Sequence, residues 1–200
     1  MKKVLLTLGV AFLAAAGAQA QTTYGLKAGV NFPKMSYSGG NSEFSTDAST
    51  NFYVTGYANL FTSPNFAIQP GVSLQGKGGK SELGNIESTT NLMSIEIPVN
   101  AVYYIPTGNS GSVFIGAGPY VGFNIAGQNK INDVKTDIEF GSKLGETKVV
   151  DYGANFQLGY KISNGFLVNG GYGLGIGNLS NTDNLKQRNR VWSLGVGFEF

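Results

Sequence analysis

Apolar side chains recur at every second position of this chain, and the side of the alternation that they occupy never carries a charge. Tyr24, Leu26, Ala28, Val30 and Phe32 alternate with Gly25, Lys27, Gly29 and Asn31. The same habit returns at 52–60, 66–74, 95–105, 113–125, 152–162, 166–176 and 192–200. A period of two is the signature of a strand, whose successive side chains point to opposite faces. Eight such stretches arise, each about the 9–11 residues that a tilted strand needs to cross a bilayer. The charged residues inside them, Lys27, Glu96, Asp151, Lys161 and Glu199, all fall on the other parity. A sheet with one face free of charge and the other open to it predicts a closed barrel with lipid outside, because closure removes the unpaired edges that a bilayer does not tolerate.

The connections support the same topology. Short turns at 62–65, 106–111 and 163–165 alternate with long polar stretches at 33–51, 76–91, 127–148 and 178–189. That rhythm predicts an eight-stranded antiparallel up-and-down transmembrane β-barrel, all-β, with four extracellular loops and both termini on the periplasmic side. Aromatic residues gather near the strand ends. Tyr24, Phe66, Tyr103, Phe166, Phe198 and Phe200 mark the turn side, and Phe32, Phe52, Phe123, Tyr152 and Trp192 the loop side. Two such girdles belong where rings sit at headgroup level. Composition agrees: charged residues are only 13% of the chain, about half the usual share of a soluble domain. The competing expectation is a soluble lipocalin-like periplasmic barrel holding a ligand inside, which would bury the aromatics and expose a glycine-rich skin.

Residues 1–20 read as a cleaved signal peptide. Lys2 and Lys3 precede an uncharged run from Val4 to Gly17, and Ala18-Gln19-Ala20 supplies the small-x-small cleavage pattern, so that Ala20 and Gln21 flank the cut. Residues 21–200 then form one barrel domain. Two of the fourteen basic residues lie in the leader, and the remaining twelve balance the twelve acidic ones. A neutral chain argues against a nucleic-acid partner, which requires a basic surface. There is no Cys to form disulfides, and no His, which removes the commonest general base and metal ligand.

Three segments carry a resemblance. Ile95-Glu96-Ile97-Pro98-Val99, the run Phe114-Ile115-Gly116-Ala117-Gly118-Pro119-Tyr120-Val121-Gly122, and the closing Trp192-Ser193-Leu194-Gly195-Val196-Gly197-Phe198-Glu199-Phe200 resemble the outer-membrane β-barrel domain family of Bacteroidetes, often called "porin family". The resemblance implies a scaffold and offers no catalytic motif. Its terminal aromatic is similar to the signal read by outer-membrane assembly machinery. Pro70, Pro98 and Pro119 each remove a ladder hydrogen bond and call for bulges or strand-end positions.

Other motifs lead to no chemistry. Gly71 to Lys77 has phosphate-loop spacing, but Gly78 follows where a Ser or Thr should hold magnesium. Gly171 to Gly177 lacks the strand-turn-helix setting of a dinucleotide site. Inward glycines are expected to make room for Tyr53, Tyr57, Phe114 and Tyr120. Asp133, Asp137 and Glu139 are too loosely spaced for a calcium site. No cofactor, no metal and no enzyme activity are therefore expected. The five inward charges are expected to form a lumen network, with Glu96 and Asp151 in the loop-side half, Lys27, Lys161 and Glu199 nearer the periplasm, and Lys27 meeting Glu199 where the first and last strands close. The functional expectation is an integral barrel of the Gram-negative outer membrane with a structural or surface-interaction role, its lumen plugged by side chains. A narrow channel for ions or small solutes is the alternative. Outer-membrane lipid and lipopolysaccharide are the expected surroundings; the locally basic 181–190 stretch is expected to be a solvated loop, with contact to lipopolysaccharide phosphates as the alternative, and the loop partner is unknown.

Overall fold

A computed structural model describes residues 22–40, 42–84, 86–132, 134–182 and 184–200. The expected signal peptide and its expected cleavage point at Ala20 and Gln21 lie outside the described residues. Ten strands follow in order: β1 (Thr22–Gly39), β2 (Ser42–Ser45), β3 (Asn51–Ser63), β4 (Phe66–Leu83), β5 (Ile86–Pro106), β6 (Gly111–Ile131), β7 (Val134–Asp137), β8 (Val150–Ile162), β9 (Phe166–Gly175) and β10 (Leu185–Glu199). All the pairings between these strands are antiparallel. Among the described residues eight strands close a ring, because β10 pairs with β1 as well as with β9. The two short strands stand outside it as ribbons, β2 on the end of β1 and β7 on the end of β6.

The two faces of this ring follow the sequence alternation. Leu26, Val54, Ile97, Ile115, Leu158 and Leu194 are exposed on the outside, whereas Lys27, Tyr53, Glu96, Tyr120 and Glu199 are buried within. Within the apolar band the outer face is apolar because lipid solvates alkyl groups and repels charge, and the charged side chains Lys27, Glu96, Asp151 and Glu199 are buried on the inner face. An eight-stranded barrel is just wide enough for those side chains to fill it.

The strands run further than the alternation indicates. β5 and β6 each span 21 residues, which at about 3.3 Å per residue and a tilt near 40° rise about 50 Å, twice an apolar band of roughly 25 Å. The stretch 76–91, expected as a loop, is the upper part of the β4–β5 hairpin, paired up to Leu83 and Ile86. Much of 33–51 and 127–148 is likewise strand, in β1 with β2 and in β6 with β7. Above the membrane water accepts either parity, so the apolar signal stops while the hydrogen-bond ladder continues.

The prolines sit in neither recorded bulge of the wall, at Phe61/Ser63 and Met93/Ser94, nor at strand ends. The β4–β5 ladder lapses between Pro70↔Val99 and Ser73↔Glu96, and the β5–β6 ladder between Pro98↔Tyr120 and Ala101↔Ala117. The missing amide donors thus fall on neighbouring strands at a common level, and Pro70, expected on the lipid face, is buried there.

Candidate functional site

The lumen is built in tiers. At the turn side Ala67, Val102, Tyr104, Phe114 and Leu167 form an apolar plug, backed by Phe61. At the same turn-side end, next to the Gly165 turn, Glu199 gathers four donors. Its Oε1 accepts from Tyr57 Oη at 3.1 Å, Tyr104 Oη at 3.1 Å and Asn59 Nδ2 at 2.9 Å, and its Oε2 from Lys161 Nζ at 2.5 Å. Lys161 also lies over the Tyr104 ring, 4.8 Å from its centroid. Four donors on one buried carboxylate, one of them a lysine, are what make a charge tolerable there.

Lys27 occupies the next tier. Its Nζ donates to Gln157 Oε1 at 2.8 Å and Gln69 Oε1 at 3.4 Å, and sits over the Tyr57 ring at 4.5 Å. Gln69 in turn donates to Asn59 at 2.7 Å, so amides link the Lys27 tier to the Glu199 tier. Lys27 and Glu199 do not form the expected ion pair. The register places Gly25 opposite Glu199 and Gly197 opposite Lys27, which sets the two side chains two residues apart.

Lys77 closes the loop-side half. Its Nζ is in contact with Glu96 and lies 2.7 Å from Asp151 Oδ2, with both carboxylates nearly inaccessible. Asp151 Oδ2 also accepts from Asn189 at 3.3 Å and Tyr120 at 3.4 Å, and Lys77 lies over the Tyr120 ring at 4.6 Å. Lys77 was not among the inward charges read from the sequence, because the Gly76-Lys77-Gly78-Gly79 run looks like loop. The parity of Ser73 and Gln75 continued by two residues points to it. With it, three lysines face three carboxylates inside the wall and the lumen is neutral.

Between these charged tiers lies a small polar cavity of about 80 Å³, lined by Asn31, Thr55, Ser73, Asn100, Asn155 and Asn169 among others. Asn31 Oδ1 and Asn100 Oδ1 are buried there without a hydrogen-bond partner. The glycines of the wall admit the bulkier fillers. A Cβ on Gly25 would strike the Tyr57 ring, one on Gly159 the Phe114 ring, one on Gly195 the Tyr53 hydroxyl, and one on Gly153 would come within 2.8 Å of Tyr120.

The mouth carries a cap that no sequence signal announced. Met35, Leu92 and Leu179 form a second apolar cluster, packed by Tyr37, Ile138 and Phe140. The segment after β7 folds inward to build it. Ile138 N donates to Gly127 O at 2.9 Å, Lys148 N to Leu179 O at 2.9 Å, and Asn181 Nδ2 to both Gly141 O and Glu146 O at 3.0 Å. The aromatic girdle residues stand outside the wall: Tyr24, Phe32, Phe52, Tyr103, Phe123, Tyr152, Phe166, Trp192, Phe198 and Phe200 are exposed, and Phe66 is half-covered.

Comparison with known proteins was made for sequence and for fold. The family described as outer membrane protein beta-barrel domain matches residues 18–181. No curated protein matches the chain. Among solved structures the chain is similar to the outer membrane protein OprG from Pseudomonas aeruginosa, at 12% identity and a TM-score of 0.53 over 90% of this chain and 97% of that one. It is also similar to Ail, the attachment invasion locus protein of Yersinia pestis, at 10% identity and a TM-score of 0.45 over 90% and 99%. Neisserial surface protein A matches at 11% identity and a TM-score of 0.46, over 89% and 95%. At such identities the likeness is one of fold.

Proposed function

Because the chain belongs to the outer membrane protein beta-barrel domain family, we propose that it serves as a closed outer-membrane scaffold whose work is done at the cell surface by the folded cap, rather than by solute passing through it. The observation that carries this reading is the double closure of the lumen. The Lys77–Glu96–Asp151 tier is covered from outside by Met35, Leu92 and Leu179, and the turn-side end is filled by Tyr104 and Phe114 together with the Lys161–Glu199 pair. A solute would have to part buried charges from their partners, a cost of several kcal/mol per ion. The role is non-catalytic in this reading, since Glu96, Asp151 and Glu199 are each already engaged by a lysine and no His stands by to act as base.

A narrow channel is the second reading, and the polar cavity with its two unpartnered Asn oxygens favours it. Planar-bilayer recording on the purified, heat-modifiable protein separates the two. The scaffold reading expects a silent membrane, with rare brief openings at most. Sustained unitary currents from the unaltered protein would give the lumen to the channel.

A further inference from the structure

The lipid-facing column of the closing seam turns basic as it leaves the membrane. β1 and β10 pair Phe32 with Trp192, then Lys34 with Arg190, Ser36 with Arg188 and Ser38 with Lys186. The parity that puts Phe32 and Trp192 outside puts these residues outside as well, while Pro33, Met35, Asn189 and Val191 between them are buried. Successive outward pairs climb about 5 Å at a tilt near 40°. The first cation pair therefore stands about 5 Å above the aromatic level, inside a headgroup layer that is itself roughly 5–7 Å deep.

Among the described residues the column is not ion-paired within the protein: no carboxylate forms an ion pair with Lys34, Lys186, Arg188 or Arg190. By register a carboxylate, Glu43 of β2, pairs with Ser38 and so lies one strand removed from Lys186. Arg190 is fixed in place, its Nη1 donating to Gly175 O at 2.6 Å and Asn189 O at 3.0 Å. The Nε of Arg188 is buried without a partner. At the same level on β6 and β8 the outward residues are Ile125 and Val150, both exposed and apolar. Beneath the column Tyr172 and Trp192 pack ring against ring with centroids 4.7 Å apart, a platform at the apolar boundary.

Cations stacked one above another at headgroup height, not ion-paired within the protein and seated on an aromatic ledge, match a ligand that carries phosphate above and acyl chains below. We propose that Lys34, Lys186, Arg188 and Arg190 form a binding site for the phosphate groups of a phosphorylated glycolipid of the outer leaflet, the chemistry of lipopolysaccharide. Guanidinium forks meet phosphate oxygens in pairs, and the lysines add charge without fixed geometry. The site rests on the outer-membrane placement of the barrel and is independent of whether the lumen conducts.

Trp192 is the only tryptophan and lies against the site, so its fluorescence reports occupancy. Heat-modifiable protein in detergent is titrated with bisphosphorylated lipid A, with the same lipid after dephosphorylation, and with inorganic phosphate. A saturable response to the phosphorylated lipid alone is expected. The double variant Lys34→Gln with Arg188→Gln should raise the half-saturating concentration roughly 30-fold, from the known worth of a basic residue near an anionic surface. Lys135→Gln, on the exposed β7 ribbon, should leave it unchanged. Equal binding by the double variant, or an equal response to the dephosphorylated lipid, overturns the proposal. Equal affinity for inorganic phosphate assigns the site to a soluble anion and also overturns it. Should the double variant not fold, raising the salt to 1 M on the unaltered protein replaces it: weakened binding supports the site and salt-insensitive binding overturns it. Protein that shows no heat-modifiable band would instead reject the barrel itself.

Discussion

Lys77 is the residue on which the loop-side half of the lumen turns. It lies between Glu96 and Asp151, and no other lysine or arginine forms an ion pair with either carboxylate among the described residues. Replacing it by Met keeps the stem and removes the charge, which leaves two carboxylates facing each other in a site that water scarcely reaches. Breaking a buried pair in this way costs about 3–5 kcal/mol. Lys77→Met should therefore lower the urea midpoint of unfolding in lipid vesicles by an amount worth that much. Adding Glu96→Gln and Asp151→Asn should recover most of the loss, because the charges left without a partner are then gone. An unchanged midpoint in the single variant would mean that the two carboxylates draw solvation from the mouth instead of from Lys77. The same scale shows where parity alone fails. It places Lys27 and Glu199 inside and on adjoining strands, but the pairing of Gly25 with Glu199 is a matter of register, which a period of two does not fix. Glu199 accordingly takes Lys161 from β8 as its cation, and Lys27 takes two amides.

At the scale of elements, the cap is the part that acts independently of the wall. The segment 139–147 contributes Phe140 to the cluster on Met35, Leu92 and Leu179, and its backbone oxygens hold Asn181. None of its hydrogen bonds enters the pairing of the eight ring strands. Replacing 139–147 by a short Gly-Ser linker should leave the heat-modifiable band in place while opening the mouth. The chain has no Cys, so Ser94→Cys, at a buried position on β5 just above Glu96, gives a clean probe. Its thiol should resist a membrane-impermeant maleimide in the intact cap and react readily once the segment is gone. Ready reaction in the intact protein would show that the cap does not seal. The sequence gives no hint of this element, for a reason that is physical. Within lipid every outward residue must be apolar, so Leu26 to Phe32 or Ile95 to Ile105 declare both strand and face. Above lipid that constraint lapses: Lys77 to Leu83 pairs residue by residue with Ile86 to Leu92, yet its glycines, serines and charges read as loop. Met35, Leu92 and Leu179 lie far apart in sequence, and only the closed ring brings them together over one opening.

The barrel as a whole is a cylinder with an apolar waist, and the waist defines its position in the bilayer. On β1 the girdle residues Tyr24 and Phe32 bound five outward positions, a rise of about 20 Å at 3.3 Å per residue and a tilt near 40°, close to the apolar band of an outer-membrane barrel. Ala28 is midway between them, exposed on the outside and flanked by Val54 of β3 and Val196 of β10. An arginine there has no water, no carboxylate and no headgroup within reach, whereas six residues further along β1 Lys34, paired with Arg190, already marks the level at which charge is accepted. Ala28→Arg should therefore cost about 2–4 kcal/mol of folding free energy in bilayers, while Ser36→Arg, on the same face of the same strand, should cost roughly 0–1 kcal/mol. Equilibrium unfolding of both variants in vesicles measures the difference. Equal costs would place the waist elsewhere along the cylinder. A cost confined to Ala28 would fix the height of the barrel, and with it the height at which the basic column of the seam meets the outer leaflet.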